Sequence, residues 1–208
     1  MLLKICGMKH NIAEVAKLQP DYLGFIFYDQ SPRYFDGVIP KISPEIRKVG
    51  VFVNASIAFV LSKISDYGLK AVQLHGDEDL IYCHELRKAL LKQWPDVEIW
   101  KVFRIGAKFD FRIVQPFEKT VDRFLFDTLS AVHGGSGKKF DWTLLRDYEA
   151  GVPVILSGGI GPRDVNDLQK LDESGVSVFA VDVNSKFELE PGHKDISVLK
   201  NFKDELQR

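Results

Sequence analysis

Eight short apolar segments alternate with segments of helical character along the chain, and this alternation restricts the fold more than any other feature. The apolar segments are Leu2–Cys6, Tyr22–Phe27, Val49–Asn54, Ala71–His75, Glu98–Arg104, Arg123–Asp127, Val154–Ser157 and Val178–Asp182. Strands that alternate with helices form βα units and pair in parallel. Eight units without a spare segment predict an α/β fold, with one (β/α)8 barrel domain over residues 1–208.

Helices are predicted between the strands from their start and stop signals. Ser56 and Asp79 are good N-caps, and Gly68 follows Tyr67 where a left-handed residue would end a helix. The predicted helices are Asn11–Leu18, Pro44–Arg47, Ser56–Tyr67, Asp79–Lys92, Asp110–Pro116, Asp141–Glu149, Pro162–Ser174 and Ile196–Leu206. An open doubly wound sheet is the alternative. Its nucleotide-binding form needs Gly-x-Gly-x-x-Gly in the first turn, and Cys6-Gly7-Met8-Lys9 lacks that spacing.

Composition excludes several classes of partner. The 28 basic residues are scattered among 29 acidic ones, for a net charge of −1, so no nucleic-acid surface is expected. Lys4 interrupts the first apolar segment, and no apolar run approaches the roughly 18 residues of a membrane span. We therefore expect a cytoplasmic protein without a membrane partner. Cys6 and Cys83 make no disulfide framework and no zinc-site spacing, so reduced thiols and no metal are expected.

Six of the eight apolar segments end in a functional group. These groups are Cys6, Asn54, His75, Asp127, Ser157 and Asp182. In a parallel barrel the carboxyl ends of the strands share one rim, which is where barrel enzymes carry their active sites. Any one of these residues could simply be a strand end that meets water. Together they predict one site at the barrel mouth.

The loops after the seventh and eighth strands predict an anion site. Gly158 and Gly159 lie in the loop that should open a helix, and Asn184 and Ser185 follow the eighth strand. Backbone N–H groups in such loops suit a phosphate dianion, and barrels often bind phosphate there. The alternative is that the two glycines only make a tight turn.

Arg33 lies in the proline-containing loop after the second strand, on the same rim. Its guanidinium could bind a substrate carboxylate through two hydrogen bonds, although a solvated surface arginine is the alternative. The glycine-rich stretch 133–140 predicts a mobile lid. Its Gly-x-Gly-Lys lacks the Walker A spacing, which excludes that mode of ATP binding.

An ordered set of motifs resembles one known family, phosphoribosylanthranilate isomerase, nearly from end to end. The motifs are Lys4-Ile5-Cys6-Gly7, Ser31-Pro32-Arg33-Tyr34, Val49-Gly50-Val51-Phe52-Val53, Val72-Gln73-Leu74-His75-Gly76, Phe126-Asp127, Gly134-Gly135-Ser136-Gly137 with Phe140-Asp141-Trp142, Ser157-Gly158-Gly159-Ile160, and Val181-Asp182 with Pro191-Gly192 and Lys194-Asp195. The ordered set is far more specific than any one motif.

The resemblance implies a (β/α)8 enzyme of tryptophan biosynthesis that uses no metal or cofactor. Such an enzyme converts the phosphorylated small molecule N-(5-phosphoribosyl)anthranilate to 1-(2-carboxyphenylamino)-1-deoxyribulose 5-phosphate by an Amadori rearrangement, and it would be a monomer or homodimer. By position, Cys6 would be the general base, Asp127 the general acid and Arg33 the ligand of the anthranilate carboxylate. The remaining substrate-binding residues would be His75, Gly158, Gly159, Asp182, Asn184 and Ser185.

One segment departs from the family pattern. Where the family commonly reads Asp-Val-Ser-Ser-Gly-Val-Glu, this chain has Asn184 in place of a serine and Lys186 in place of the glycine. Backbone amides could still bind phosphate, but the loss of glycine could restrict the loop.

The state of the thiol raises a further question, because a thiol acts as a base only if its pKa falls from about 8.5. Lys4 and Cys6 are two apart on a strand and should both face the barrel interior. We hypothesise that Lys4 favours the thiolate, or else pairs with Asp127 or Asp182. The alternative is that Lys4 only neutralises a buried carboxylate.

Two functional alternatives stay open at this point. One is a different sugar-phosphate barrel, such as the histidine-pathway aminoaldose isomerase or indoleglycerol-phosphate synthase. The other is a catalytically silent phosphate-binding or scaffolding barrel.

Overall fold

The computed structural model describes residues 1–129 and 139–208, and its eight parallel strands close into a barrel in chain order. The strands are β1 Leu2–Ile5, β2 Tyr22–Ile26, β3 Arg47–Phe52, β4 Ala71–Leu74, β5 Glu98–Ile105, β6 Arg123–Thr128, β7 Val154–Leu156 and β8 Val178–Val183. The barrel is sealed where β1 pairs with β8, with Lys4 beside Asp182. The predicted (β/α)8 architecture is confirmed.

Alternation along the strands divides the apolar core into two parts. Leu3 and Ile5 point outward into the layer between the strands and the helices, whereas Lys4 lies between them and points inward. The lumen is filled by a separate apolar cluster, which consists of Tyr22, Val49, Ala71, Trp100, Val102, Leu125, Ile155 and Ala180. The barrel is therefore a packed core below the mouth.

Among residues 1–129 and 139–208, five α-helices cover the barrel: α1 Ile12–Ala16, α2 Ile57–Tyr67, α3 Leu80–Gln93, α4 Val165–Glu173 and α5 Ile196–Leu206. The Ser56 and Asp79 side chains accept hydrogen bonds from the backbone of Phe59 and Tyr82, as N-caps do. Gly68 ends α2 at φ 60°. Within the two described ranges, no helix has the length and apolar character needed to cross a bilayer.

The predicted helix Pro44–Arg47 is wrong, because Arg47 begins β3 and pairs with Tyr22. Four residues cannot repay the cost of nucleating a helix, and the ladder to β2 offers this backbone better partners. The connection between β2 and β3 is irregular instead. Its Phe35 is buried against Phe25, with 4.9 Å between the ring centroids, and covers the barrel where a helix was expected.

Two other predicted helices are 3-10 helices in the structure, at Phe111–Phe117 and Trp142–Asp147. Pro116 lies inside the first, where it removes a backbone donor that a longer α-helix would use. A short hairpin of β9 Glu188–Glu190 and β10 His193–Lys194 follows a 3-10 turn after β8. The sequence patterns did not predict this hairpin, which turns out to matter for the site.

Candidate active site

A cavity of about 360 Å³ opens at the carboxyl ends of the barrel strands, and it brings the predicted site residues together. All nine of them line it: Cys6, Arg33, His75, Asp127, Gly158, Gly159, Asp182, Asn184 and Ser185. Of the six polar strand ends, Ser157 also lines the cavity, whereas Asn54 does not. Asn54 takes a left-handed conformation, φ 50°, and its side chain accepts a hydrogen bond from the backbone N–H of Asp77. Its role is to turn the chain.

Cys6 follows β1 directly, and its backbone N–H donates to the carbonyl of Val183 at 2.8 Å, so β8 holds the thiol over the lumen. Gly24 on β2 leaves room for it, because a Cβ there would lie 2.9 Å from Cys6 Sγ. Burial raises the pKa of the Cys6 thiol above its ordinary value, with Lys4 and Lys194 opposing that shift and Asp182 adding to it. Lys4 thus favours the thiolate, as hypothesised, but burial outweighs its effect on the pKa of Cys6.

Lys4 is fully buried and pairs with Asp182, not with Asp127. Its Nζ lies 2.7 Å from Asp182 Oδ2 and 2.9 Å from Gln73 Oε1. Burial opposes the ammonium charge, but Asp182 and Cys6 together raise the pKa of Lys4, so it is a cation. Burial also raises the pKa of Asp182, against the influence of Lys4. Neutralising a buried carboxylate is thus a principal role of Lys4.

Asp127 lies near the end of β6, on the opposite wall of the barrel from Cys6. Around the barrel, β7 and β8 separate β6 from β1, the strand that Cys6 follows. Its Oδ2 is 3.3 Å from His75 Nε2, and its Oδ1 accepts from the backbone N–H of Thr128 at 2.8 Å. Gly158 allows this close packing, since a Cβ there would lie 2.6 Å from Asp127 Oδ1. The carboxylate is therefore held in place while one edge faces the cavity.

Arg33 is bound through two hydrogen-bonding nitrogens to Glu188 at the start of β9. Its Nε and Nη2 lie 2.9 and 2.7 Å from Glu188 Oε2. Lys194 on β10 shares the same carboxylate, with Nζ 2.8 Å from Glu188 Oε1, and also donates to Asn184 Oδ1 at 2.8 Å. Burial lowers the pKa of Lys194 against the influence of Glu188, whereas, despite burial, Arg33 and Lys194 hold the pKa of Glu188 below its ordinary value. The Arg33 guanidinium at this end of the cavity is therefore the group available to an anionic ligand.

Comparison with known sequences agrees with this geometry. A sequence model of the family described as N-(5'phosphoribosyl)anthranilate (PRA) isomerase matches residues 3–205. The chain belongs to this family.

Relatives at the level of whole chains support the assignment. The N-(5'-phosphoribosyl)anthranilate isomerase of Parabacteroides distasonis is 42% identical over 212 residues, which covers 97% of this chain and 91% of that protein. The crystal structure of phosphoribosyl anthranilate isomerase from Thermotoga maritima superimposes with a TM-score of 0.78 at 31% identity, covering 100% and 99% of the two chains. A phosphoribosyl anthranilate isomerase solved with reduced 1-(O-carboxyphenylamino)-1-deoxyribulose 5-phosphate gives 0.78 at 27% identity, covering 100% and 98%.

Neither departure from the family pattern, at Asn184 or at Lys186, takes the positive φ that would require glycine. Lys186 lies in the 3-10 turn Ser185–Phe187. Among the described residues, only Gln19 and Asn54 combine a side chain with positive φ, so the position of Lys186 does not require glycine. Asn184 packs against Gly7, where an added Cβ would lie 2.6 Å from its Oδ1.

The glycine turn after β7 differs from the expected helix start. Gly158 and Gly159 have φ of 90° and 69°, and α4 begins only at Val165, three residues after the predicted Pro162. Asp164 Oδ2 accepts from the N–H of Gly161 at 2.7 Å and closes the intervening turn. The backbone amides nearest the cavity are therefore those of the glycine turn rather than of the helix.

Sequence reasoning missed three residues of the site, namely Gln73, Glu188 and Lys194. Gln73 could have been found, because it stands two before His75 on a strand and must share its face. Glu188 and Lys194 meet only through the β9–β10 hairpin.

Two further predictions concern the lid and a metal. Of the predicted lid 133–140, residues 133–138 lie outside the described residues. In the part of the chain that the structure covers, no group of three or more His, Cys, Asp or Glu side chains is arranged to hold a metal ion.

Proposed function

We propose that this protein is an N-(5'-phosphoribosyl)anthranilate isomerase of tryptophan biosynthesis. Its reaction is the Amadori rearrangement of the phosphorylated aminoaldose to 1-(2-carboxyphenylamino)-1-deoxyribulose 5-phosphate. Family membership supports this activity. The structural observation that carries it is the placement of Cys6 and Asp127 on opposite walls of one cavity. An aldose–ketose isomerisation needs one acid and one base on either side of the sugar.

Asp127 is proposed as the general acid. It gives a proton to the ribose ring oxygen while the nitrogen lone pair of the anthranilate forms the C1′=N bond and the C1′–O bond breaks. His75, whose Nε2 lies 3.3 Å from Asp127 Oδ2, positions it. The products of this step are an opened sugar chain and a cationic Schiff base.

Cys6 is proposed as the general base. It removes the C2′ proton, the electron pair moves to the C1′–N unit, and the resulting enolamine becomes the ketone by taking a proton at C1′. Burial raises the pKa of the free thiol, so the thiolate must form as the substrate binds and reacts. The cationic Schiff base makes the C2′ proton more acidic, which reduces the basicity that the thiol must reach.

The two anionic ends of the substrate, its carboxylate and its phosphate, are proposed to bind to Arg33 and to a group of backbone amides. Arg33 keeps its Nη1 donors, which Glu188 does not use, for the anthranilate carboxylate. The phosphate is proposed to lie on the backbone amides around Gly158, Gly159, Asn184 and Ser185. Asp182 Oδ1 is buried and, within the described ranges, has no hydrogen-bond partner, so we assign it to a sugar hydroxyl.

We also propose that the enzyme works in the cytoplasm, without nucleic-acid or membrane partners, as a monomer or homodimer. One of its structural neighbours consists of monomers generated from the dimeric phosphoribosylanthranilate isomerase of Thermotoga maritima, so both states are compatible with this fold.

The direct test is conversion of freshly prepared N-(5-phosphoribosyl)anthranilate, followed through the loss of its fluorescence. The purified protein should consume the substrate and yield the ketose product. Folded protein that binds inorganic phosphate but turns nothing over would support the silent barrel. Turnover of the histidine-pathway aminoaldose alone would favour the other isomerase. Either result would refute the proposal.

A further inference from the structure

A continuous row of polar side chains crosses the floor of the cavity from β8 to β6. Asp182 Oδ2 lies 2.7 Å from Lys4 Nζ, and Lys4 Nζ lies 2.9 Å from Gln73 Oε1. Gln73 Nε2 lies 2.9 Å from His75 Nδ1, and His75 Nε2 lies 3.3 Å from Asp127 Oδ2. The row joins the side of the cavity that carries the base to the side that carries the acid.

Lys4 determines the direction of the hydrogen bonds along the row, because its ammonium group can only donate. An ammonium has three donors and no acceptor, so the oxygen of the Gln73 amide must face Lys4 and its NH2 must face His75. His75 Nδ1 must then accept, and a neutral imidazole that accepts at Nδ1 carries its hydrogen on Nε2. Gln73 is 1% exposed, so water cannot readily replace either bond.

We propose that Gln73 is a positioning residue that fixes His75 as the neutral Nε2–H tautomer and aims this N–H at Asp127. An imidazolium would need a proton on Nδ1, directly against the Gln73 NH2. Turning the amide over would relieve that conflict only by pointing the NH2 at the Lys4 ammonium. Lys4 is therefore the residue that sets the tautomer of His75, through Gln73, although the two never touch.

The charged groups around His75 come from four strands. Asp127 faces it from β6, Asp182 and Lys4 lie behind Gln73 on β8 and β1, and Arg104 on β5 donates to the His75 backbone carbonyl at 2.7 Å. Two carboxylates would favour an imidazolium, and the Gln73 amide opposes it. This opposition matters because a full positive charge 3.3 Å from Asp127 would favour its carboxylate form. The proposed function needs Asp127 to hold a proton.

The test is the ring ¹⁵N spectrum of His75 in ligand-free protein, assigned by its loss in His75→Asn. Wild-type protein should show an unprotonated Nδ1 and a protonated Nε2 across neutral pH. Gln73→Glu should give a ring protonated on both nitrogens, because a carboxylate accepts from Lys4 and from Nδ1–H alike. Gln73→Met should give a mixture of tautomers. Gln93→Glu, the same charge change at an exposed site on α3, should leave the spectrum unchanged.

The ¹⁵N spectrum does not depend on catalysis, whereas a second, kinetic measurement rests on the proposed function. Gln73→Glu should lower kcat at least tenfold, with little change in KM, and should move the alkaline limb of the kcat–pH profile, which reports loss of the proton from the general acid, to lower pH. A wild-type ring with its proton on Nδ1, or a Gln73→Glu ring that stays neutral, would overturn the inference. An inactive wild-type protein would overturn the proposed function and leave the tautomer result standing. If Gln73→Glu does not fold, wild type and Gln73→Met still decide the point.

Discussion

Replacing Lys4 by methionine removes the ammonium group that bonds to Asp182 and Gln73 beneath the site. Methionine is close in length, so the change leaves little cavity but strands a carboxylate whose side chain is 5% exposed. Removing one partner of a buried ion pair costs about 3 to 5 kcal/mol of unfolding free energy. For a domain of this size that corresponds to a fall in Tm of roughly 6 to 20 °C.

The unfolding free energy that Lys4→Met loses should depend on pH, because Asp182 is titratable. Burial already raises the pKa of Asp182 in the folded protein, and removing Lys4 removes the charge that opposed this rise. The folded variant then binds more protons than the unfolded chain above about pH 4, so its stability falls as pH rises. Urea unfolding should therefore show a smaller loss near about pH 5 than near about pH 8.

Two controls make the result decisive. Lys200→Met breaks an exposed pair with Asp204 of similar length, 2.9 Å, and should leave the urea midpoint almost unchanged, because water screens exposed charges. The double variant with Asp182→Leu should regain part of the stability, because the carboxylate that lost its partner is then removed as well. If Lys4→Met unfolds like wild type, or is least stable at low pH, the assignment of Lys4 to Asp182 is wrong.

Three other substitutions, with Gly175→Ala as a control, test the geometry of the cavity. Gly7→Ala, at φ 71°, would place a Cβ 2.6 Å from Asn184 Oδ1, so kcat/KM should fall at least tenfold in the fluorescence assay. Gly175 has a similar φ of 88° but lies in open space. Gly175→Ala should therefore cost only about 1 to 2 kcal/mol of stability in urea unfolding and leave kcat/KM unchanged. Arg33→Lys should raise KM about tenfold with a smaller effect on kcat, since a point charge cannot replace the guanidinium fork; an unchanged KM would refute carboxylate binding there. Lys186→Gly should keep wild-type kcat and lose about 0.5 to 1 kcal/mol of stability in urea, because the position already has an ordinary helical conformation.

The barrel fold could be predicted from the sequence because strands and helix ends are marked by local sequence patterns. Apolar alternation marks a strand such as Leu2–Ile5, and capping residues such as Ser56 mark helix ends. Arg47 shows where this reasoning stops. Its helical appearance was overridden by pairing with Tyr22 on the neighbouring strand, which no local pattern reports.

The site could be predicted to the level of which residues meet, because strand ends converge in any parallel barrel. Which charges pair could be predicted only in part, because the sequence left both Asp127 and Asp182 as partners for Lys4. Lys4 meets Asp182 because barrel closure sets those two residues side by side, 178 positions apart in sequence. Glu188 and Lys194 reach Arg33 only because an unpredicted hairpin folds back over the mouth. Burial of Cys6, which sets the sign of its pKa shift, likewise depends on the packed barrel.

The acid and base assignment is the central claim, and kcat with saturating substrate tests it most directly. Cys6→Ala and Asp127→Asn should each lower kcat by about 10²- to 10⁴-fold, the usual contribution of a positioned proton-transfer group, while both variants unfold cooperatively. Near-normal turnover in either folded variant would contradict the account, because the residue concerned could then be neither the base nor the acid of the reaction.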